Sequence, residues 1–188
     1  MRVVETNLPG VRVVEPHAVR DVRGGLLELW NAEGHAREAL LTTCVLDLVT
    51  ASTRGVIRGL HYQHPFGQAK LVSVLDGEVF DVAVDIRQGS ATFGRWTCVY
   101  LGAENRRQLF IPAGFAHGFA VLSDRAVLHY KLGEAYHPEA EGCVAWNDPE
   151  LRIAWPIEAP VLSGRDAEAP CLALVPEARL PRLGDYEP

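Results

Sequence analysis

The sequence contains only four cysteines, and no two of them are close enough to form a redox or zinc motif. Cys44, Cys98, Cys143 and Cys171 make neither a CxxC pair nor the spacing of a zinc knuckle. This spread argues against a structural zinc finger and against a small disulfide scaffold of the secreted type. We therefore expect four reduced thiols in the core of a cytoplasmic protein.

Long apolar runs and an excess of positive charge are also missing. Residues 1–16 lack the apolar core of a signal peptide, and no run approaches the roughly 20 apolar residues of a membrane-spanning helix. Lys and Arg number 18 against 24 Asp and Glu, for a formal charge of −6. Because non-specific nucleic-acid binding needs a basic face, we expect neither a nucleic-acid partner nor membrane association. A local basic pocket for a phosphorylated small molecule is compatible with this charge.

What is present is the composition of a globular protein. Of 188 residues, 48% are apolar and 22% are charged, which separates the chain from disordered sequences. A chain of this length buries most of its apolar surface without disulfides. We expect one domain over residues 1–188.

Strand patterns dominate the chain. The clearest covers residues 78–86, where apolar side chains alternate with Asp81 and Asp85. The dipeptide Asp76-Gly77 before it predicts a hairpin turn from a strand over residues 70–75. Further strands are predicted over residues 10–16, 26–30, 43–50, 56–63, 96–101, 107–111, 117–122 and 126–132.

Helical patterns are short and lie toward the two ends of the chain. Residues 32–40 have helical character, and short helical turns are predicted after Pro149 and after Ser163. Many short strands separated by turn clusters, with so little helix, predict an all-β sandwich or barrel.

The segment Arg58-Gly59-Leu60-His61-Tyr62-Gln63-His64 places a cation and two imidazoles in a predicted strand. Histidine has the side-chain pKa nearest neutrality, so it is a natural base for a carbon-bound proton. A lone strand histidine is usually structural, but two other groups support a site here. Lys70 lies on the next strand, which pairs antiparallel if residues 65–67 form the connection. His117 follows a tight turn that proline and glycine set, so these groups are expected at one barrel mouth.

A metal-dependent cupin is an alternative for the same residues, because such sites use two or three histidines and a carboxylate at the barrel mouth. His61 and His64 are three residues apart, not the two that place both side chains on one strand face. No glutamate follows at the expected short spacing. We therefore predict no metal site.

Two further clusters each allow a structural and a functional interpretation. Tyr130 and Tyr136 are of a type that mostly packs in strands, but a phenol also delivers protons and an aromatic face stacks on a nucleobase. Ser163 and Asp166 fit an ordinary helix cap. Alternatively, Asp166 orients a histidine and the adjacent Arg165 binds phosphate.

Several long motifs, in this order along the chain, resemble the RmlC family, the dTDP-4-dehydrorhamnose 3,5-epimerases. The resemblance covers about residues 20–175. The motifs are DVRGGLLELW (21–30), RGVIRGLHYQ (54–63), QAKLVSVLDGEVFDVAVDIRQGSATFGRW (68–96), ENRRQLFIPAGFAHGFAVLS (104–123), YHPEAEGCVAWNDPEL (136–151) and LSGRDAEAP (162–170).

The resemblance implies a cupin jelly roll that is homodimeric, needs no metal or other cofactor, and acts on a nucleotide-linked 4-keto-6-deoxyhexose. By motif, His61 is the base that removes the proton beside the ketone, with Asp166 as its partner. Lys70 stabilises the enolate oxygen, and Tyr130 returns a proton from the opposite face. The diphosphate and sugar positions match Arg23, Glu28, Arg58, His117, Glu141 and Arg165, and the base-stacking aromatic matches Tyr136.

The chain departs from the family pattern just before the RGLH segment. Leu46 and Leu48 replace a polar pair that helps to seat the diphosphate, and Ala51 stands where arginine is common. Leu26 also replaces the usual phenylalanine. Lost donors at a buried polar ligand are costly. The alternatives are an epimerase of one centre, C3 or C5, on another nucleotide sugar, or a non-catalytic sugar-binding jelly roll.

Two further expectations concern the implied dimer. Residues 10–16 and 43–50 are candidate edge strands, and Arg23 or Glu28 would serve the pocket of the neighbouring subunit.

Overall fold

The computed structural model describes residues 1–186, and within them β-strands predominate. The strands are β1 (Arg2–Glu5), β2 (Arg12–Glu15), β3 (Ala18–Asp21), β4 (Gly24–Leu27), β5 (Leu46–Thr53), β6 (Ile57–Gln63), β7 (Lys70–Asp76), β8 (Glu78–Asp85), β9 (Trp96–Gly102), β10 (Gln108–Ile111), β11 (Phe115–Val121), β12 (Arg125–Leu132) and β13 (Glu141–Cys143). The helical elements are two short α-helices, α1 (Ala32–Arg37) and α2 (Gly164–Ala167), and two 3₁₀ turns (Leu172–Leu174 and Glu177–Arg179).

The strands form two large antiparallel sheets that face each other as a jelly roll. One sheet has six strands in the order β1-β2-β10-β7-β12-β5, and the other has five in the order β13-β6-β11-β8-β9. A separate two-stranded sheet joins β3 to β4. The predicted all-β fold with short helices near the ends is confirmed.

The main core lies between the two large sheets. Val72 and Leu128 of the six-stranded sheet share one buried cluster with Ala83 and Phe119 of the five-stranded sheet. All four are almost fully buried. The interior of the sandwich is therefore close-packed over most of its length, and the polar groups described below are the exception.

A second apolar layer covers the outer face of the five-stranded sheet. Phe80 and Val82 of β8 pack against Leu172 and Leu180 from the C-terminal segment. The predicted alternation of β8 is therefore confirmed, but its polar side chains do not face solvent. Asp81 and its neighbour on the same face, Asp85, are completely buried.

The dipeptide Asp76-Gly77 does not form the predicted hairpin. It connects β7 in the six-stranded sheet to β8 in the five-stranded sheet, so these strands do not pair. Gly77 has φ +79°, and a Cβ atom there would lie 2.1 Å from the Arg125 carbonyl oxygen. Glycine is required at this corner because the chain must turn from one sheet to the other in a tight space.

The expected antiparallel pairing of the strand that carries His61 with the strand that carries Lys70 is also wrong. β6 and β7 belong to different sheets, and residues 65–67 cross between them. Residues 10–16 are not an edge strand either, because β1, which was not predicted, pairs with β2 on its open side. β5 does lie at a sheet edge, as expected for residues 43–50.

The helical predictions are partly confirmed. Both helices begin at side-chain caps, of which only Ser163 was predicted: Asn31 Oδ1 accepts a bond from the Gly34 amide, and Ser163 Oγ accepts one from the Asp166 amide. After Pro149 the chain makes only a turn. Among the described residues, no helix has the length and apolar character needed to cross a bilayer.

The four cysteines form no disulfide, but they are half-buried and not core thiols as expected.

The β3–β4 hairpin differs from the rest of the fold because every residue in it is at least partly exposed. Val22 at its tip is fully exposed, and Leu26 is 72% exposed. Exposed apolar side chains concentrated on one short hairpin are unusual for an isolated soluble chain. We call residues 18–27 the arm.

Candidate active site

His61 and Asp166 form the centre of the site. His61 lies on β6, and Asp166 comes from the first turn of α2, where the Ser163 cap fixes its backbone. His61 Nε2 and Asp166 Oδ1 are 2.6 Å apart. Burial opposes ionisation of Asp166, but the hydrogen bond and charge of His61 outweigh it and hold the pKa of this carboxyl below its usual range. The carboxylate can therefore orient the imidazole and stabilise its charged form.

Lys70 reaches this pair from the opposite sheet. Its Nζ donates a hydrogen bond of 3.2 Å to the His61 carbonyl oxygen. The side chain is buried, and loss of hydration lowers its pKa to about 8, although Asp81 and Glu141 act in the opposite direction. Among residues 1–186 this neutral carbonyl oxygen is the only hydrogen-bond partner of the buried ammonium, which is therefore available to a developing negative charge.

Tyr130 and His117 line the interior beside Lys70. The Tyr130 ring lies 6.1 Å from the His117 ring, edge to face. His117 is opposite His61 in the β11–β6 register. Burial raises the pKa of the Tyr130 phenol, which keeps its proton at neutral pH. The phenol is thus a potential proton donor on the sheet opposite the one that carries His61.

His117 has a buried carboxylate partner that the sequence did not reveal. Asp81 Oδ1 lies 2.9 Å from His117 Nε2, and neither side chain is appreciably exposed. Burial lowers the pKa of His117, while the Asp81 charge and hydrogen bond oppose that shift. The alternation of β8 predicted only that Asp81 lies on the polar face of the strand. That pattern does not distinguish a polar face in the interior from one exposed to solvent.

Charged and aromatic groups form the rim. Glu141 Oε2 accepts a hydrogen bond of 2.6 Å from the Tyr136 hydroxyl and forms an ion pair with Arg165 Nη1. Burial opposes ionisation of Glu141, but the bonds from Arg165 and Tyr136 lower its pKa. Arg58 is exposed and is oriented by its Nε bond of 3.0 Å to Ser52 Oγ. Tyr136 is also exposed, so its ring is free to stack.

Arg23 and Glu28 are not brought to this site within the chain. Arg23 sits at the tip of the arm, where its guanidinium bonds Asp21 in the same hairpin. Glu28 follows the arm and is exposed. Within residues 1–186, no hydrogen bond joins either side chain to the groups around His61.

The apolar substitutions lie at the edge of the site. Leu48 pairs with Tyr130 across β5 and β12, and Leu46 pairs with Leu132. Leu46 packs against the main core, whereas Leu48 is 44% exposed. Residues directly opposite in a strand pair share a face. Leu48 therefore presents an apolar surface beside the phenol.

Within the described residues, His64 is not brought to His61. His64 Nδ1 bonds the Tyr186 hydroxyl at 2.7 Å, away from His61. Within residues 1–186, one group of three possible ligands is found, and it consists of His61, Cys143 and Asp166. Cys143 was not predicted as a site residue, since it is distant in sequence and meets His61 only through the β13–β6 register.

Comparison with known proteins shows the family. The sequence model of the dTDP-4-dehydrorhamnose 3,5-epimerase family matches residues 5–173. A dTDP-4-dehydrorhamnose 3,5-epimerase of Pseudomonas aeruginosa is 47% identical over 180 residues, which cover 92% of this chain and 97% of the relative.

Solved structures agree with the sequence relatives. The RmlC epimerase of Legionella pneumophila, solved with dTDP-4-keto-L-rhamnose, superposes with a TM-score of 0.94 at 46% identity, covering 96% of this chain and 97% of that one. ChmJ, a 3′-monoepimerase of Streptomyces bikiniensis solved with dTDP-quinovose, gives a TM-score of 0.89 at 38% identity, covering 96% and 93%.

The jelly roll, its acid–base cluster and these relatives define a sugar-nucleotide epimerase, an isomerase of the cupin type. The chain belongs to the dTDP-4-dehydrorhamnose 3,5-epimerase family.

Proposed function

We propose that this protein inverts C3 and C5 of a dTDP-linked 4-keto-6-deoxyhexose by removing and returning the protons beside the ketone. The observation that carries the proposal is the 2.6 Å bond between His61 and Asp166, next to the buried ammonium of Lys70. Such a reaction needs a base, a stabiliser for the enolate oxygen and an acid on the other face of the sugar.

His61 is the base in this proposal. With Nε2 bound to Asp166, its Nδ1 has no hydrogen-bond partner among residues 1–186, so its lone pair is available to a substrate proton. The positive charge that then develops on the ring is stabilised by the Asp166 carboxylate. A positioned general base of this kind accelerates a reaction by ~10²–10⁴-fold.

Lys70 and Tyr130 supply the other two functions. The proton beside a ketone is acidic only when the enolate oxygen is stabilised, and the buried Lys70 ammonium supplies that stabilisation. Tyr130 returns a proton from the opposite face, because it lies on the sheet that faces His61. Inversion follows when one face loses the proton and the other receives it.

The remaining groups bind the substrate. Arg58, His117 and Arg165 offer positive or hydrogen-bonding groups to the diphosphate and sugar. Glu141 fixes Arg165 in place, and the exposed Tyr136 ring stacks on the nucleobase.

We also propose a homodimer in which the arm of one subunit carries Arg23 and Glu28 to the pocket of the other. This assignment is supported by the exposed apolar side chains of the arm and by the exposed Arg23 guanidinium, which bonds Asp21 within the arm. It gives a function to two motif residues that the single chain leaves on the surface.

Three further proposals concern the whole molecule. Residues 1–188 form one domain, of which residues 187–188 lie outside the described part. The protein works in the cytoplasm, which the absence of disulfides among the four cysteines supports. The reaction needs no metal or organic cofactor, so a chelator should leave turnover intact.

A second candidate is inversion of one centre only, and Leu48 favours it. An apolar side chain beside Tyr130 stands where the family usually has a polar group. The ChmJ neighbour is described as a 3′-monoepimerase.

Nuclear magnetic resonance in heavy water distinguishes these candidates. The protein is incubated with dTDP-, CDP- and GDP-linked 4-keto-6-deoxyhexoses, and deuterium is followed at C3 and at C5. We expect exchange at both carbons of the dTDP sugar. Exchange at one carbon identifies the single-centre enzyme, and no exchange with any nucleotide identifies a binding protein and rejects the proposal.

A further inference from the structure

We propose that His61, Cys143 and Asp166 form a binding site for a thiophilic divalent cation, represented by Zn²⁺, and that the bound ion inactivates the base. The inhibitory consequence rests on the proposed function, whereas the binding site itself does not.

The three side chains converge from separate elements. Cys143 on β13 is directly opposite His61 on β6, and Asp166 approaches both from α2. One donor atom from each lies within 4.8 Å of the other two. Cys143 Sγ is 3.8 Å from Asp166 Oδ1, which is 2.6 Å from His61 Nε2. The arrangement is thus a compact triangle of nitrogen, sulfur and oxygen.

The ligand types select the metal. A thiolate, an imidazole and a carboxylate suit Zn²⁺, while Mg²⁺ and Ca²⁺ prefer oxygen ligands alone. Usual zinc bond lengths in a tetrahedron place sulfur and oxygen about 3.6 Å apart and nitrogen and oxygen about 3.3 Å apart. The sulfur–oxygen separation already fits. The nitrogen–oxygen separation has to open by roughly 0.7 Å as the ion takes the place of the shared proton.

The site is also accessible. The His61 side chain is 31% exposed, which leaves the ring room to shift. Cys143 lines a surface cavity of about 710 Å³ together with Glu141 and Arg165. Glu141 forms an ion pair with Arg165, so the arginine charge beside the entry path is neutralised and does not repel an incoming cation.

Each proton that the metal displaces has a defined destination. The ion replaces the thiol proton of Cys143, which is released to solvent, and it takes the Nε2 lone pair after the imidazole proton moves to Nδ1. The thiolate and the carboxylate then balance the two positive charges, and no electron is transferred. Because Nδ1 now carries the proton, it cannot accept another from the substrate carbon. The metal binds Nε2, on the side of the imidazole away from the substrate, so we expect kcat to fall while KM changes little.

The test combines spectroscopy with kinetics on the full chain. Co²⁺ alone is titrated into the metal-free protein, and the absorption band of a cobalt–thiolate bond is followed. In parallel, Zn²⁺ is titrated into the epimerase assay. Cys143→Ser and Cys143→Ala are compared with Cys98→Ser, which changes another half-buried cysteine on β9. Each variant is normalised to its own metal-free rate.

We expect the thiolate band in the wild type and in Cys98→Ser, and its loss in both Cys143 variants. The Zn²⁺ concentration for half-inhibition should rise at least ~10-fold in the Cys143 variants, since even changes around a metal ligand cost 10–100-fold. Absence of the band in the wild type overturns the site. Equal inhibition of all variants, or inhibition relieved by more sugar nucleotide, overturns the inhibitory role. If the protein proves to have no epimerase activity, the Co²⁺ titration still decides the site.

Discussion

At the residue scale, burial determines what each group in the site can do. Lys70 loses hydration and its pKa falls to about 8, while the pKa of the Tyr130 phenol rises. Motif order predicted both residues, as well as His61 and Asp166. Lys70 and Asp166 bond His61, and the Tyr130 ring meets that of His117, which pairs with His61. Asp81 could not be predicted as a partner of His117, because strand periodicity does not report which polar face is buried.

Lys70→Met should reduce kcat and raise stability at neutral pH. The folded pKa of about 8 lies below the ordinary 10.5, so the folded chain gives up this proton more readily than the unfolded chain. The lysine therefore costs stability in full below pH 8, and the cost fades as the pH rises toward 10.5. We expect a gain of about 1–3 kcal/mol at pH 7 and a loss of ~10²-fold or more in kcat.

Urea unfolding at pH 7 and pH 10 measures the first effect, and initial rates measure the second. The matched control is Lys131→Met, because Lys131 is on the outer face and bonds Asp47. This control should gain no stability and keep its activity. A Lys70→Met protein with normal turnover would contradict the role of the ammonium.

At the element scale, the sequence predicted most strands but not how they pair. Alternation identified β8, and strands were also predicted where β6 and β11 lie, yet both faces of β8 are buried. Its pattern therefore does not show which face meets the other sheet. The corner at Gly77 was mistaken for a hairpin because Asp-Gly favours a turn whether the next strand pairs with the first or crosses to the other sheet.

Gly59→Ala should destabilise the protein far more than Gly55→Ala. Both glycines have positive φ values, +123° at Gly59 and +84° at Gly55, so alanine at either position costs at least about 1–2 kcal/mol in backbone strain. A Cβ atom at Gly59 would lie only 2.5 Å from Gly118 Cα, whereas one at Gly55 would meet nothing within 4 Å. Overpacking adds about 1–3 kcal/mol at Gly59 alone.

Thermal and urea unfolding of the two glycine variants measure this difference. We also expect Gly59→Ala to lower turnover, because it pushes β6 away from β11 and moves His61. Equal destabilisation of the two variants would show that the close contact between the strands is unimportant.

At the scale of the whole molecule, the sandwich is covered on one side by its C-terminal segment and leaves the arm uncovered. The family resemblance predicted that Arg23 and Glu28 bind substrate and that Arg23 or Glu28 serves the pocket of the neighbouring subunit, whereas the strand pattern predicts neither. Within residues 1–186, neither side chain forms a hydrogen bond to the groups around His61, and Arg23 bonds Asp21 in the arm. A second subunit is the partner that the proposal assigns to the arm.

Leu26→Asp should therefore weaken the dimer and reduce activity. Leu26 is 72% exposed on the arm, so the change costs little in an isolated subunit. The control is Leu174→Asp, which alters an equally exposed leucine (73%) on the C-terminal segment. Sedimentation velocity should show a dimer for the wild type and the control, and dissociation for Leu26→Asp. A wild type that sediments as a monomer would contradict the shared site.

The central claim, that His61 removes a carbon-bound proton, is tested most directly by solvent exchange in the His61→Ala variant. Deuterium incorporation beside the ketone of the dTDP-linked 4-keto-6-deoxyhexose is followed by nuclear magnetic resonance, and circular dichroism confirms that the variant is folded. We expect exchange with the wild type and a loss of ~10²–10⁴-fold with His61→Ala. Exchange by the folded variant at the wild-type rate would contradict the account.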